Sequence, residues 1–318
     1  GYKGEAAIWG EEAWQMLLKE FPLQVPRDGV SREGSVSYHR LVTELFLLPA
    51  IARKSAGLPI EDWYWEKLQK MATFVQTYTM PNGSVPLWGD ADDGRVLPLG
   101  TQPLDDHRYL AEILSYLDQS PTAPSYDETF WWLGIGGKKK DIYGRSVSSV
   151  FSDAGIFVFR NDVDFLFVDA GPVGMAGRGG HGHNDCLSFE VVLNGTGIIT
   201  DSGCYIYTPS ASDRNYFRST GAHNTPKIDG EEINRISNPK WLWYLENDAH
   251  PEVKHYSLSS KRDLLIAAHS GYQRLPSPVP PVRSFLLEKE THSVLISDTF
   301  EGTSKHLIQI PFHLAIGA

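Results

Sequence analysis

The chain has 318 residues, 41% hydrophobic and 12% aromatic, enough to bury one large core or two moderate ones, with two domains favoured. A net charge of −10 leaves no surplus of lysine and arginine for phosphate contacts, which argues against a general nucleic-acid binder. No apolar run approaches the roughly 20 residues needed to span a bilayer.

Gly1 to Glu5 shows no basic region followed by an apolar stretch. Two cysteines, Cys186 and Cys204, leave the redox compartment open; they could pair or stay as buried thiols. Trp9 to Phe21 places Trp14, Leu17, Leu18 and Phe21 at helical spacing. Val36 to Ala56 carries apolar residues on nearly every turn and stops at Gly57. Trp63 to Tyr78 repeats the pattern until Pro81-Asn82-Gly83, and Pro103 to Leu117 makes a further short helix. Such amphipathic helices suggest hairpins stacked around an axis. The polar loop Gly89 to Arg95 interrupts them; a solvated loop is the favoured reading and a substrate-facing rim the alternative.

From Ser148 the texture changes to short β-branched and aromatic runs. Gly155 to Arg160, Asp164 to Asp169, Leu187 to Leu193, Gly197 to Asp201, Leu264 to His269, Ser284 to Glu288, Ser293 to Asp298 and His306 to Ile310 all read as strands. Long crossover helices are missing, so an antiparallel β-sandwich is expected. The fold class is therefore α+β and multidomain. A boundary falls in the Pro-, Gly- and Lys-rich stretch between Ser120 and Arg145, giving a helical domain over 1–140 and a β domain over 141–318. The chain ends just after a strand, whose unpaired edge would be exposed, so a fragment of a longer protein is expected.

Four residues carry the chemistry: His181 and His183 in His-Gly-His, Asp201 closing Gly-Ile-Ile-Thr-Asp, and His223 in Gly-Ala-His-Asn-Thr. Imidazole nitrogens plus a carboxylate suit Zn²⁺ or a similar divalent ion. On an extended strand, His181 and His183 would point to one face, one to a metal and the other to substrate. Arg178-Gly179-Gly180 lets backbone approach a ligand closely. Asp201, at the end of an apolar strand, would be costly without a metal or a paired charge.

The segment His181 to Gly230, with His-Gly-His-Asn-Asp-Cys-Leu-Ser-Phe-Glu, Ile-Ile-Thr-Asp-Ser-Gly and Tyr-Phe-Arg-Ser-Thr-Gly-Ala-His-Asn-Thr, closely resembles the heparinase II/III-like domain of polysaccharide lyases. Phe151 to Arg160 and Ala170 to Gly174 look like the strands that open this domain, and Asp28-Gly29 with Glu33 to His39 looks like the motif on the family's helical toroid. The resemblance implies an incomplete α/α toroid followed by a β-sandwich, cleaving uronic-acid polysaccharides by β-elimination. It assigns His183, Asp201 and His223 as ligands of a mainly structural zinc, His181 as a histidine facing substrate, and Tyr38 as the catalytic tyrosine. The family's Asn-His pair on an earlier helix has no counterpart before Tyr38, an absence that truncation would explain better than loss.

β-Elimination requires that the uronate carboxylate be neutralised, that a base remove the C5 proton and that an acid protonate the departing oxygen. Tyr38 is assigned the principal proton transfer, with His181 as its partner or as the carboxylate neutraliser. Arg218 and Asn224, flanking His223, could bind the carboxylate or orient ligands, and Tyr207 and Tyr216 could assist; taken singly, each tyrosine is more simply packing. Glu33 and His39 read as local hydrogen bonding at a helix start. The partner is then an acidic polysaccharide such as a glycosaminoglycan, alginate or exopolysaccharide, in the periplasm or outside the cell, with a cytoplasmic location as the alternative. Oligomeric state is open. The rival function is a non-catalytic carbohydrate-binding or exopolysaccharide-assembly protein with a structural metal.

Overall fold

A computed structural model describes residues 3–117, 126–134 and 146–318; the expected domain boundary at 140/141 lies outside the described residues. The chain begins with helices α1 (Glu5–Gln24), α2 (Val36–Ser55), α3 (Asp62–Tyr78), α4 (Arg108–Leu117) and α5 (Asp127–Leu133). The first four were expected; α5 was not. Ser35 caps α2, its Oγ accepting from the Tyr38 amide at 3.2 Å. That cap places Tyr38 in the first turn of the helix.

Strands β1 (Ser149–Phe151), β2 (Ile156–Arg160), β3 (Phe165–Asp169), β4 (Phe189–Leu193) and β5 (Thr196–Ile199) form an antiparallel sheet in sequential order. Then come α6 (Ala211–Phe217), β6 (Lys227–Ile228), β7 (Glu252–Leu258), β8 (Arg262–Ala268), β9 (Pro281–Glu288), β10 (Ser293–Phe300) and β11 (Ile308–Gln309). A second sheet runs β10-β9-β8-β7, and β11 pairs with β6. The fold is thus α+β, with all strand pairs antiparallel among the described residues.

β2 and β3 are buried at every position because the first sheet is covered on both faces. Ile156, Val158, Phe165 and Phe167 join the apolar cluster of the helices, whereas Phe157, Phe159, Leu166 and Val168 join Leu265, Phe285 and Leu287 of the second sheet. β9 alternates buried with half-buried residues, the pattern of a strand covered more fully on one face. β7 was not expected: its residues, Glu-Val-Lys-His-Tyr-Ser-Leu, are all exposed on an edge strand. Both cysteines are buried free thiols.

Three expectations shift. The His-Gly-His segment lies in irregular backbone between β3 and β4, not on a strand. β5 stops at Ile199, leaving Asp201 in the loop beyond it. The loop carrying Gly89 to Arg95 is not solvated throughout, since Asp90 is completely buried.

Candidate active site

Close backbone contacts bring the site together. A Cβ on Gly182, between the two histidines, would lie 2.1 Å from the Val173 carbonyl oxygen. Gly89, at φ +67°, would place one 2.1 Å from the Gly34 carbonyl oxygen, so neither position accepts a side chain. The Asp90 amide donates to the His181 carbonyl at 2.9 Å, and Ser35 Oγ donates to the Asp90 carbonyl at 2.5 Å. The loop is thereby joined to the start of α2 and to the histidine segment.

Asp90 is the hub of this junction. Its Oδ2 lies 3.1 Å from His181 Nδ1, and its Oδ1 lies 2.9 Å from His183 Nε2. Arg214, from α6, clasps both oxygens, with Nη2 donating to Oδ2 at 2.9 Å and Nη1 donating to Oδ1. Burial pushes the Asp90 carboxyl up, but the hydrogen bonds from both histidines and the charge of Arg214 overcome this and hold it ionised, far below the ordinary range. An ionised acceptor assigns its partners' protons: His181 donates from Nδ1 and His183 from Nε2.

Tyr38 lies flat on His181, ring centroids 3.6 Å apart and planes at 17°. Its hydroxyl donates to Asp92 Oδ2 at 2.7 Å. Burial, then the hydrogen bond to Asp92, raises the phenol well above its ordinary pKa. Asp92 is held in turn by Arg40, whose Nη2 donates to the carbonyls of Asp92 at 3.1 Å and Gly94 at 2.9 Å. Glu33 Oε2 stands 3.7 Å from His181 Nε2, so this carboxylate belongs to the site as well as to the helix start. Tyr207 closes the group, with Arg214 5.2 Å from its ring centroid.

Next to this pair lies a candidate metal centre. Ligand atoms of His183, Asp185 and His223 lie within 4.8 Å of one another, all buried. His223 Nδ1 is 2.8 Å from Asp201 Oδ2 and donates to it, which turns the lone pair of Nε2 free. His183, donating from Nε2, presents the lone pair of Nδ1. Both His183 Nδ1 and His223 Nε2 are buried without a hydrogen-bond partner among the described residues. Two buried lone pairs beside a carboxylate fit a divalent cation, with Asp201 fixing the tautomer of a liganding histidine. The third corner of this triad is therefore Asp185, within the His-Gly-His-Asn-Asp run, while Asp201 stands behind His223.

Two substrate-binding expectations do not survive the geometry. Arg218 is fully buried, and all five donors are occupied: Nε and Nη2 by Asn215 Oδ1, Nη2 also by the Trp241 carbonyl, and Nη1 by the carbonyls of Leu242 and Tyr244. Asn224 is equally buried, donating to the Phe189 and Thr200 carbonyls and accepting from the His313 amide. Both brace backbone. Tyr216 is exposed, with its ring against Phe217. Asp90, Asp92, Arg214 and Asp185 are the residues that sequence reasoning missed. Only the polarity of the Gly89 to Arg95 loop and the Asp in His-Gly-His-Asn-Asp could have pointed to any of them.

Residues 144–318 match the family "Heparinase II/III-like, C-terminal" and residues 3–98 match "Heparinase II/III N-terminus". A heparin-sulfate lyase of Bacteroides stercoris is 25% identical over 322 residues, spanning 98% of this chain and 43% of that protein. The heparin-sulfate lyase of Pedobacter heparinus is 24% identical, over 78% of this chain and 37% of its own length. The chain thus spans less than half the length of these curated relatives. Among solved structures, a heparinase III superposes with a TM-score of 0.72 at 23% identity, over 99% of this chain and 45% of that one. The heparan sulfate lyase of Pedobacter heparinus gives 0.68 at 20% identity, over 95% and 43%. With family profiles covering both the helical and the β regions, the chain belongs to the heparinase II/III-like family.

Proposed function

We propose that the protein of which this chain forms part is a polysaccharide lyase that cleaves a uronic-acid-containing acidic polysaccharide by β-elimination. The helices would form an incomplete α/α toroid and the two sheets a β-sandwich, with the catalytic groups at their junction. The observation that carries the reading is the stacked Tyr38–His181 pair, each member held by its own carboxylate. The names of the relatives favour a heparan-type glycan.

With Nδ1 protonated toward Asp90, His181 offers the Nε2 lone pair as the base. It takes the C5 proton of the uronate; the C–H electrons form the C4–C5 double bond, and the C4–O bond breaks. Tyr38, kept protonated by burial and Asp92, donates its proton to the departing oxygen. His183, Asp185 and His223 would hold a divalent cation, and their nitrogen and oxygen donors favour Zn²⁺. Its charge would lock the histidine segment beside the cleft; no proton moves through it.

The test is to incubate the full protein with heparan sulfate, chondroitin, hyaluronan and alginate and to weigh the products. Unsaturated uronate ends that vanish in Tyr38→Phe support elimination. Saturated ends indicate hydrolysis, and binding without cleavage indicates a non-catalytic carbohydrate-binding protein.

A further inference from the structure

Trp243 has no role in the proton transfers, yet its surroundings form a constructed surface beside them. The indole is 40% exposed. It meets the His181 ring edge-on with centroids 5.5 Å apart, and the Tyr207 ring at 5.1 Å. The fully buried guanidinium of Arg214 lies 5.0 Å from its centroid.

The backbone beneath Trp243 is held just as firmly. Arg218 donates to the carbonyls of Trp241 at 3.0 Å, Leu242 at 3.1 Å and Tyr244 at 2.9 Å, so residues on both sides of Trp243 are pinned by one side chain. Burying a guanidinium is costly unless every donor is met. Here that arrangement fixes an irregular loop and presents a large apolar ring to solvent at a set distance from His181.

We infer that Trp243 is a carbohydrate platform, on which the pyranose ring beside the cleaved bond packs its C–H face. The C–H groups of a sugar's less polar face carry partial positive charge, and the face of an indole carries the negative part of its quadrupole. This contact reads the ring and not its acid groups, so the ligand class is a pyranose of the polysaccharide backbone. The location beside the bond rests on the lyase reading; the contact itself does not.

The experiment uses the full protein carrying Tyr38→Phe, titrated calorimetrically with size-defined heparan and chondroitin oligosaccharides. Adding Trp243→Ala or Trp243→Leu is expected to weaken binding about 10-fold, whereas Trp243→Tyr, which keeps an aromatic face, restores most of it. With Tyr38 intact, the loss appears in KM and not in kcat. Unchanged affinity in Trp243→Leu, with an unfolding midpoint equal to its parent's, overturns the inference, as does absence of binding by the parent. If the protein with Tyr38 intact binds oligosaccharides but cleaves none, the lyase reading fails, and the same affinity comparison still decides the platform.

Discussion

Asp90 joins His181 and His183 through its two oxygens, so one carboxylate orients both the proposed base and a metal-triad histidine. Arg214, within α6 and distant in the chain, neutralises that carboxylate. The stacked Tyr38–His181 pair and the candidate metal triad are therefore mechanically one unit.

Replacing Asp90 by Asn keeps the shape and removes the charge, leaving Arg214 buried without its counter-ion. Loss of one partner of a buried pair costs about 3–5 kcal/mol. Asp90→Asn is expected to lower the denaturant midpoint accordingly and to reduce turnover by about 100-fold or more, since His181 loses its tautomer lock. A variant that unfolds like the wild type would remove Asp90 from this role.

The metal triad gives an ordering that separates Asp185 from Asp201. Asp185→Asn is expected to abolish stoichiometric metal retention, while Asp201→Asn, acting through His223, weakens it by roughly 10–100-fold. Metal content after dialysis, measured by elemental analysis, checks this; the reverse order would make Asp201 the direct ligand. Chelation should also lower the melting temperature, because binding free energy to the folded site is stability.

Gly182→Ala places a methyl group against the Val173 carbonyl, closer than any real contact permits. The two histidines must then move apart or the backbone must shift, at about 1–3 kcal/mol. Reduced melting temperature together with reduced metal retention is the expected pair of outcomes. A variant with both properties intact would show that the close approach is dispensable.

Arg218→Lys tests the bracing role, since an ammonium cannot reach the four acceptors that the guanidinium serves. The expected result is a stability loss of about 1–3 kcal/mol and weaker oligosaccharide binding through a loosened Trp243 segment. The salt dependence of binding should not change, because Arg218 touches no substrate. A flatter dependence would return this arginine to the carboxylate-binding role.

His39 predicts acid sensitivity. Its Nδ1 accepts from the Ser31 amide at 3.2 Å and its Nε2 donates to the Met71 carbonyl at 3.3 Å, an arrangement that needs the neutral ring. Burial pushes its pKa down to about 4 from 6.5. Between these values the unfolded chain binds more protons than the folded one, so stability present above pH 6.5 falls as the pH drops through the window, by roughly 3 kcal/mol at its foot. Unfolding titrations at pH 7 and 4.5 should show a steeper acid loss in the wild type than in His39→Gln. Equal slopes would assign the acid loss elsewhere.

The helices α1 to α4 and most strands were legible because apolar spacing follows the element's own period. The elements that escaped have short or exposed patterns: α6 is seven residues, and β7 is exposed along its whole length. Gly89 to Arg95 was misread for a related reason. A run rich in Asp looks solvated in sequence, whereas Asp90 meets a buried arginine and two histidines that are distant in the chain.

By itself, then, the sequence determined that helices precede an antiparallel β region, that His181, His183, Asp201 and His223 belong together, and that the motif is of the heparinase II/III-like type. Those are properties of local period and of residues that recur in fixed strings. Only the tertiary structure decided that Tyr38 stacks on His181, that Asp185 lies with His183 and His223 in a candidate metal triad while Asp201 hydrogen-bonds His223, and that the Arg218 and Asn224 side chains brace backbone. Which donor faces which acceptor depends on burial and on contacts between distant segments, and a charged side chain reads the same in sequence whether it meets solvent, substrate or a buried carbonyl.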